Sequence, residues 1–150
     1  MWKVNTVRAF GFAAIGAGGA EVESFIELWN PATSNRVVKV TSILINTDDT
    51  VVKIKHHTSQ QGSAGTVGTK GNKLMGGASP SAIIYGHGVA SVSGTQVFAV
   101  NTIANIDEFI NLNDAPLVLN PGVSLIIENT NADLSINNVN IEWHEIDAQW

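Results

Sequence analysis

The sequence predicts an all-β protein, a two-sheet antiparallel sandwich in which a jelly roll is the expected architecture. Three observations carry this expectation. Val, Ile and Thr are abundant, and no stretch of 12 or more residues keeps a 3.6-residue apolar period free of Gly or Asn. Eight or so short apolar runs are separated by Gly, Pro and Asn turns, the rhythm of sandwiches and barrels. The 150 residues are 44% hydrophobic and only 14% charged, which suits one packed core and not a disordered tail. An immunoglobulin-like sandwich is the alternative, without the Cys pair that marks antibody domains.

Residues 1–20 read as an N-terminal arm, leaving 21–150 as the single domain. Lys3 and Arg8 precede the run Ala9–Ala20, the outline of a secretion signal, but four glycines make that run a poor hydrophobic segment. The same run is too short to cross a bilayer, so a mobile arm is the preferred reading. Val22–Trp29 alternates: Val22, Ser24, Ile26 and Leu28 share one face, with Glu23, Phe25, Glu27 and Trp29 on the other. Asn30-Pro31 ends it. Val37–Asn46 is the next strand, and Thr47-Asp48-Asp49-Thr50 reads as a hairpin turn into Val51–His57.

Residues 58–82 are Gly, Ser, Thr, Gln and Lys with few large apolar groups, the composition of a long loop. Gly62, Gly65, Gly68 and Gly71 recur at intervals of three, yet that run holds no Pro and too few triplets for a collagen helix. Short strands follow at Ala82–Tyr85, Val89–Val92, Gln96–Val100, Phe109–Leu112 and Pro116–Leu119. Asn120-Pro121-Gly122 turns the chain into Ser124–Asn129. The last strand changes phase, with Leu134 and Ile136 on one parity and Val139, Ile141 and Trp143 on the other. A β-bulge at Asn137-Asn138 reconciles them.

Chemical motifs are sparse. There is no Cys, hence no disulfide and no thiolate metal site. His56 and His57 are adjacent and so face opposite ways on a strand, unlike the spaced pair of a strand-borne metal site. His87 and His144 read as solvated or hydrogen-bonded. Asp48-Asp49 and Asp107-Glu108 suit polar turns better than a calcium cage, which needs oxygens from spaced positions. No Gly-X-Ser-X-Gly elbow and no phosphate-cradling glycine loop is present. These observations point to a non-enzymatic protein with no catalytic residue, cofactor or metal to assign.

Charge is unevenly spread. All eight basic residues lie in residues 1–73 with five acids, whereas residues 74–150 hold eight acids and no Lys or Arg. Eight cations in a chain of net charge −5 are too few for a phosphate-neutralising stripe, which argues against nucleic acid as a partner. The asymmetry either orients the molecule on a charged surface or reflects two halves interleaved in one sandwich. Trp29 and Trp143 fall inside strands and read as core. Trp2 and Trp150 stand near the two ends, where frayed termini or a neighbouring subunit would account for them.

Phe25-Ile26-Glu27-Leu28-Trp29-Asn30-Pro31 running into Val37-Val38-Lys39-Val40 resembles the opening of small tailed-bacteriophage structural proteins. Gly71-Asn72-Lys73-Leu74-Met75-Gly76-Gly77 looks like their central loop. Leu117-Val118-Leu119-Asn120-Pro121-Gly122-Val123-Ser124-Leu125, followed by Ile141-Glu142-Trp143-His144-Glu145, is similar to their close. The resemblance spans about residues 22–146. It implies a virion component of the jelly-roll capsid decoration or cement type, often trimeric, made in the host cytoplasm and bound to the capsid surface. It supplies no catalytic residue. The expected partners are further copies of the chain and the major capsid protein or another virion protein, with neither nucleic acid nor membrane involved. The expected interface residues come from the arm, the loop and the far end of the chain: Trp2, Arg8, Phe10, Phe12, Lys70, Lys73 and Trp150. A tail-fibre or carbohydrate-binding sandwich is the alternative.

Overall fold

The computed structural model describes residues 6–16, 23–61, 65–89, 92–131 and 133–148. Their strands are β1 (Val7–Ile15), β2 (Glu23–Trp29), β3 (Arg36–Thr47), β4 (Val51–His57), β5 (Thr66–Val67), β6 (Thr69–Asn72), β7 (Ile83–Val89), β8 (Thr95–Asn101), β9 (Glu108–Asn111), β10 (Leu117–Leu119), β11 (Ser124–Asn129) and β12 (Ile136–Asp147). They form two antiparallel sheets. Sheet A runs β10-β3-β12-β1-β6, with β9 beside β10 along the same edge of β3, and sheet B runs β5-β7-β2-β11-β4-β8.

The topology is that of one long antiparallel ribbon rolled up. β1 pairs with β12, β2 with β11, β3 with β9 and β10, and β4 with β8. Successive ribbon pairs alternate between sheets A and B, which is how a jelly roll wraps. The sandwich predicted from turn rhythm is therefore present, with β5 to β7 inserted between β4 and β8.

Three expectations need correction. Residues 7–15 are not an arm: they are a strand held between β12 and β6, its residues alternately buried and exposed. Residues 47–50 do not close a hairpin, because β3 lies in sheet A and β4 in sheet B. They form a corner between the sheets, and local turn chemistry cannot distinguish a corner from a hairpin. Residues 58–82 are not a single loop, since β5 and β6 lie within them and extend the two sheets. The runs at 82–85 and 89–92 also merge in part, as Ile83–Val89 is one strand. The bulge, in contrast, stands where the phase change places it: Ile136 pairs with Thr47 and Asn138 with Asn46, leaving Asn137 extra.

Between the sheets lie Ile26, Leu28, Ile43, Ile45, Ile54, Ile84, Ile127, Ile141 and Trp143, all fully buried. Each contributes roughly 1.5–3 kcal/mol on burial, so the core can carry a few buried polar hubs. Two such hubs tie the roll. Glu145, fully buried, accepts from the Ser81 and Ala82 amides at 2.8 and 2.9 Å, Trp143 Nε1 at 3.0 Å and Arg36 at 2.9 Å. This fastens sheet A to the turn that enters β7. At the corner, Asp49 accepts from the Thr50 and Asn131 amides and the Thr130 hydroxyl, and its carbonyl accepts from Thr102. One residue thereby joins the β3–β4, β8–β9 and β11–β12 crossings.

Burial raises both carboxyls, and the converging hydrogen bonds outweigh it, so each sits below its ordinary value. Such groups stabilise the fold when ionised. Their contribution is complete above about pH 5 and is lost as pH falls from the unfolded 4.5 for Glu145 and 3.8 for Asp49 through the lower folded values. Urea titrations should show stability declining below about pH 5. Glu145→Gln should flatten part of that decline while costing about 2–4 kcal/mol at neutral pH, because the Arg36 charge and the donors lose their carboxylate. An unchanged acid limb in this variant would contradict the assignment.

Candidate functional site

The two outer faces of the sandwich differ. At the centre of sheet B, on β2 and β11, the outward residues are covered by the chain itself. Phe25 and Ile126 are fully buried and cluster with Val92, and every residue of β11 is buried. Beside them Glu27, also fully buried, lies 3.2 Å from His87 Nε2, 2.5 Å from the Ser124 hydroxyl and 2.7 Å from the Gln61 amide. His87 stacks on Phe25 at 4.8 Å between ring centroids. Ser, His and Glu together invite a catalytic reading, but here the carboxylate stands between hydroxyl and imidazole. The His therefore does not face the Ser proton it would have to take. The cluster pins residues 59–61 onto the sheet.

On sheet A the outward side chains stay open. β1 sends Val7, Ala9, Gly11 and Ala13 inward, and Arg8, Phe10 and Phe12 to solvent. Gly11 must lack a side chain because the Trp143 indole lies against it; a Cβ there would sit 3.0 Å from that ring. Pairing register then places the outward residues in rows. Phe12, Asn140, Leu44 and Phe109 are successive partners across β1, β12, β3 and β9. Phe10, Glu142, Ser42 and Asn111 form the next row, then Arg8, His144, Lys39 and Val118. Phe10, Phe12 and Phe109 are 37, 43 and 63% exposed. Between Phe10 and Phe109 lies a shallow depression of about 310 Å³, lined also by Leu44, Lys73, Asn140 and Glu142. Lys73 and Glu142 close its rim with an ion pair at 2.6 Å.

Of the seven expected interface residues, the fold brings Arg8, Phe10, Phe12 and Lys73 onto this face. Lys70 is not with them: its ammonium donates to the carbonyls of Pro80 and Ala82 at 2.5 and 2.9 Å, and burial pushes it down despite the nearby Glu145. It is a structural cation. Trp2 and Trp150 lie outside the described residues. Sequence reasoning missed Leu44, Phe109, Asn140 and Glu142. The small–aromatic alternation of Ala9 to Ala13 was the available signal for β1, whereas Leu44 sits in an unbroken apolar run whose outward member only the register identifies. Trp143 is core as expected, and Trp29 is half-buried.

The described residues bring no three His, Asp or Glu side chains together in a metal-binding group. They also form no helix long and apolar enough to cross a membrane. The chain matches no protein-family model, no curated protein and no solved structure. The site thus rests on its geometry: an open β-sheet face bearing three phenylalanines within a charged rim.

Facing decides what substitutions cost. Gly11→Val should destabilise by about 1–3 kcal/mol through overpacking against Trp143. Phe12→Ser, on the solvent side of the neighbouring position, should change stability by no more than about 0.5–1 kcal/mol in the same urea titration. Equal losses would mean that β1 is not oriented this way.

Proposed function

We propose that the protein is a non-enzymatic virion structural protein, a capsid decoration or cement protein that seats the outer face of sheet A on the head shell and acts as a trimer. The observation that carries the reading is the open row Phe12–Asn140–Leu44–Phe109, flanked by Phe10 and the Lys73–Glu142 pair. The centre of sheet B covers its outer apolar residues Phe25 and Ile126 with its own chain, whereas sheet A leaves three aromatic rings exposed for a partner. The family resemblance of residues 22–146 supplies the class of partner. A rolled ribbon presents a rigid sheet, and a rigid face loses little freedom when it docks.

Particles produced from the genome that encodes this chain provide the test. Electron microscopy should locate the chain on the head, with β1, β12 and β3 against the shell. Phe10→Glu/Phe12→Glu should weaken binding to such particles by about 10- to 100-fold, the scale of losing one or two central aromatic contacts, with the thermal midpoint nearly unchanged. A stably folded variant that binds as well as the wild type would remove the face from the interface. Saturable tryptophan quenching by a glycan, with no particle binding, would favour the carbohydrate-binding alternative instead.

A further inference from the structure

Sheet A has two unlike edges, separated by β3, β12 and β1. One is β6 and the turn after it. There Leu74 and Met75 are 69 and 95% exposed, yet firmly held: Gly77 N–H closes the turn on Leu74 at 2.9 Å, and Gly76 takes the φ of +79° that the turn needs. The Asn72 side chain braces both sides, bonding the Leu74 amide and the Ala78 carbonyl. An apolar tip fixed in this way loses little entropy on insertion into a neighbour. Arg8 and Lys73 stand beside it; Lys73 is already paired with Glu142, so Arg8 is the cation this edge leaves unmatched.

The opposite edge is β9 and β10 with the turn that leads in. It exposes Ile103 and Ile106 at 59 and 51%, also on a closed turn, with Ile106 N–H bonding Ile103 at 3.0 Å. Its charges are Asp107, Glu108 and Asp114; Lys39 on β3, paired with Val118, is the one base close by in register. Both edges therefore pair a rigid apolar tip with charge, and the charges are opposite in sign.

We infer that copies of this chain join head to tail, the β6 edge of one against the β9–β10 edge of the next. Two like edges brought together would oppose cation to cation or carboxylate to carboxylate, whereas unlike edges match. Inside each molecule the four Lys or Arg ion pairs among the described residues join a base from residues 1–73 to an acid from residues 74–150. Arg8, Glu108 and Asp114 have no such partner among the described residues, so their charges remain for a neighbour. A head-to-tail contact closes as a ring or continues as a filament. The inference rests on the homo-oligomer part of the function proposed above and needs no shell.

Light scattering on the purified full chain tests it. The wild type should form a multimer. Leu74→Asp/Met75→Asp and Glu108→Lys/Asp114→Lys, each checked by thermal melting, should each fall to the single-chain mass of 15.9 kDa. Mixed in equal amounts, these two variants share one good edge pair and should form heterodimers that grow no further. Combining Arg8→Glu with Glu108→Lys/Asp114→Lys in one chain swaps the sign of the unpaired charges at both edges and should restore the multimer. A monomeric wild type, variants of wild-type mass, or a mixture that rebuilds the full multimer would each overturn the inference. A monomeric wild type would also remove the trimer from the proposed function, whereas a multimeric wild type with variants of wild-type mass overturns this inference alone; lost particle binding leaves this inference standing.

Discussion

The ladder of β12 with β1 on one side and β3 on the other is the constraint from which the rest of the molecule follows. Strand side chains alternate, so a slip of one residue along a twelve-residue strand would turn its whole inner face to solvent. Two irregularities prevent this. Asn137 is extra on β12 opposite Thr47 and Asn46, and Thr41 is extra on β3 between the partners of Glu142 and Trp143. With both in place Val139, Ile141, Trp143 and Glu145 point inward together. Trp143 can then lie over the small face of β1, and Glu145 can reach the amides that begin β7. The core and the tether between sheets depend on this register.

The same register has a consequence on the other side. Because Ala9, Gly11 and Ala13 face inward, Gly11 against the Trp143 indole, Phe10 and Phe12 face outward, and no segment of the described chain covers them. Sheet B resolves its equivalent problem with the Glu27 cluster, which holds residues 59–61 over the sheet. Packing needs on one face thus leave an apolar surface on the other. Under the proposed function, the packing of the core is what positions the docking face.

Rolling the ribbon also explains the lopsided charge. Each long strand from the first half of the chain mates with one from the second half, so Arg36 meets Glu145 and Asp147, Lys55 meets Glu128, and Lys73 meets Glu142. Interleaving of the two halves, one of the two readings of composition, thus matches three of the eight bases with four of the eight acids of residues 74–150. Arg8 beside β6, and Glu108 and Asp114 at the β9–β10 edge, have no ion-pair partner among the described residues.

Composition and turn rhythm were sufficient to predict an all-β sandwich, and apolar parity alone located the bulge at Asn137-Asn138, because both are properties of neighbouring residues. Strands Val51–His57 and Ser124–Asn129 are legible for the same reason. The corner at Asp48-Asp49 was not, since a turn between sheets and a turn within one use the same residues. Nor was β1, whose Gly11 makes sense only against Trp143, more than a hundred residues away in the chain. Sequence reasoning picked Arg8, Phe10, Phe12 and Lys73 for the candidate face, but it could not supply Leu44, Phe109, Asn140 or Glu142. Which residues share a surface is set by cross-strand register, and register is decided only when distant strands pair.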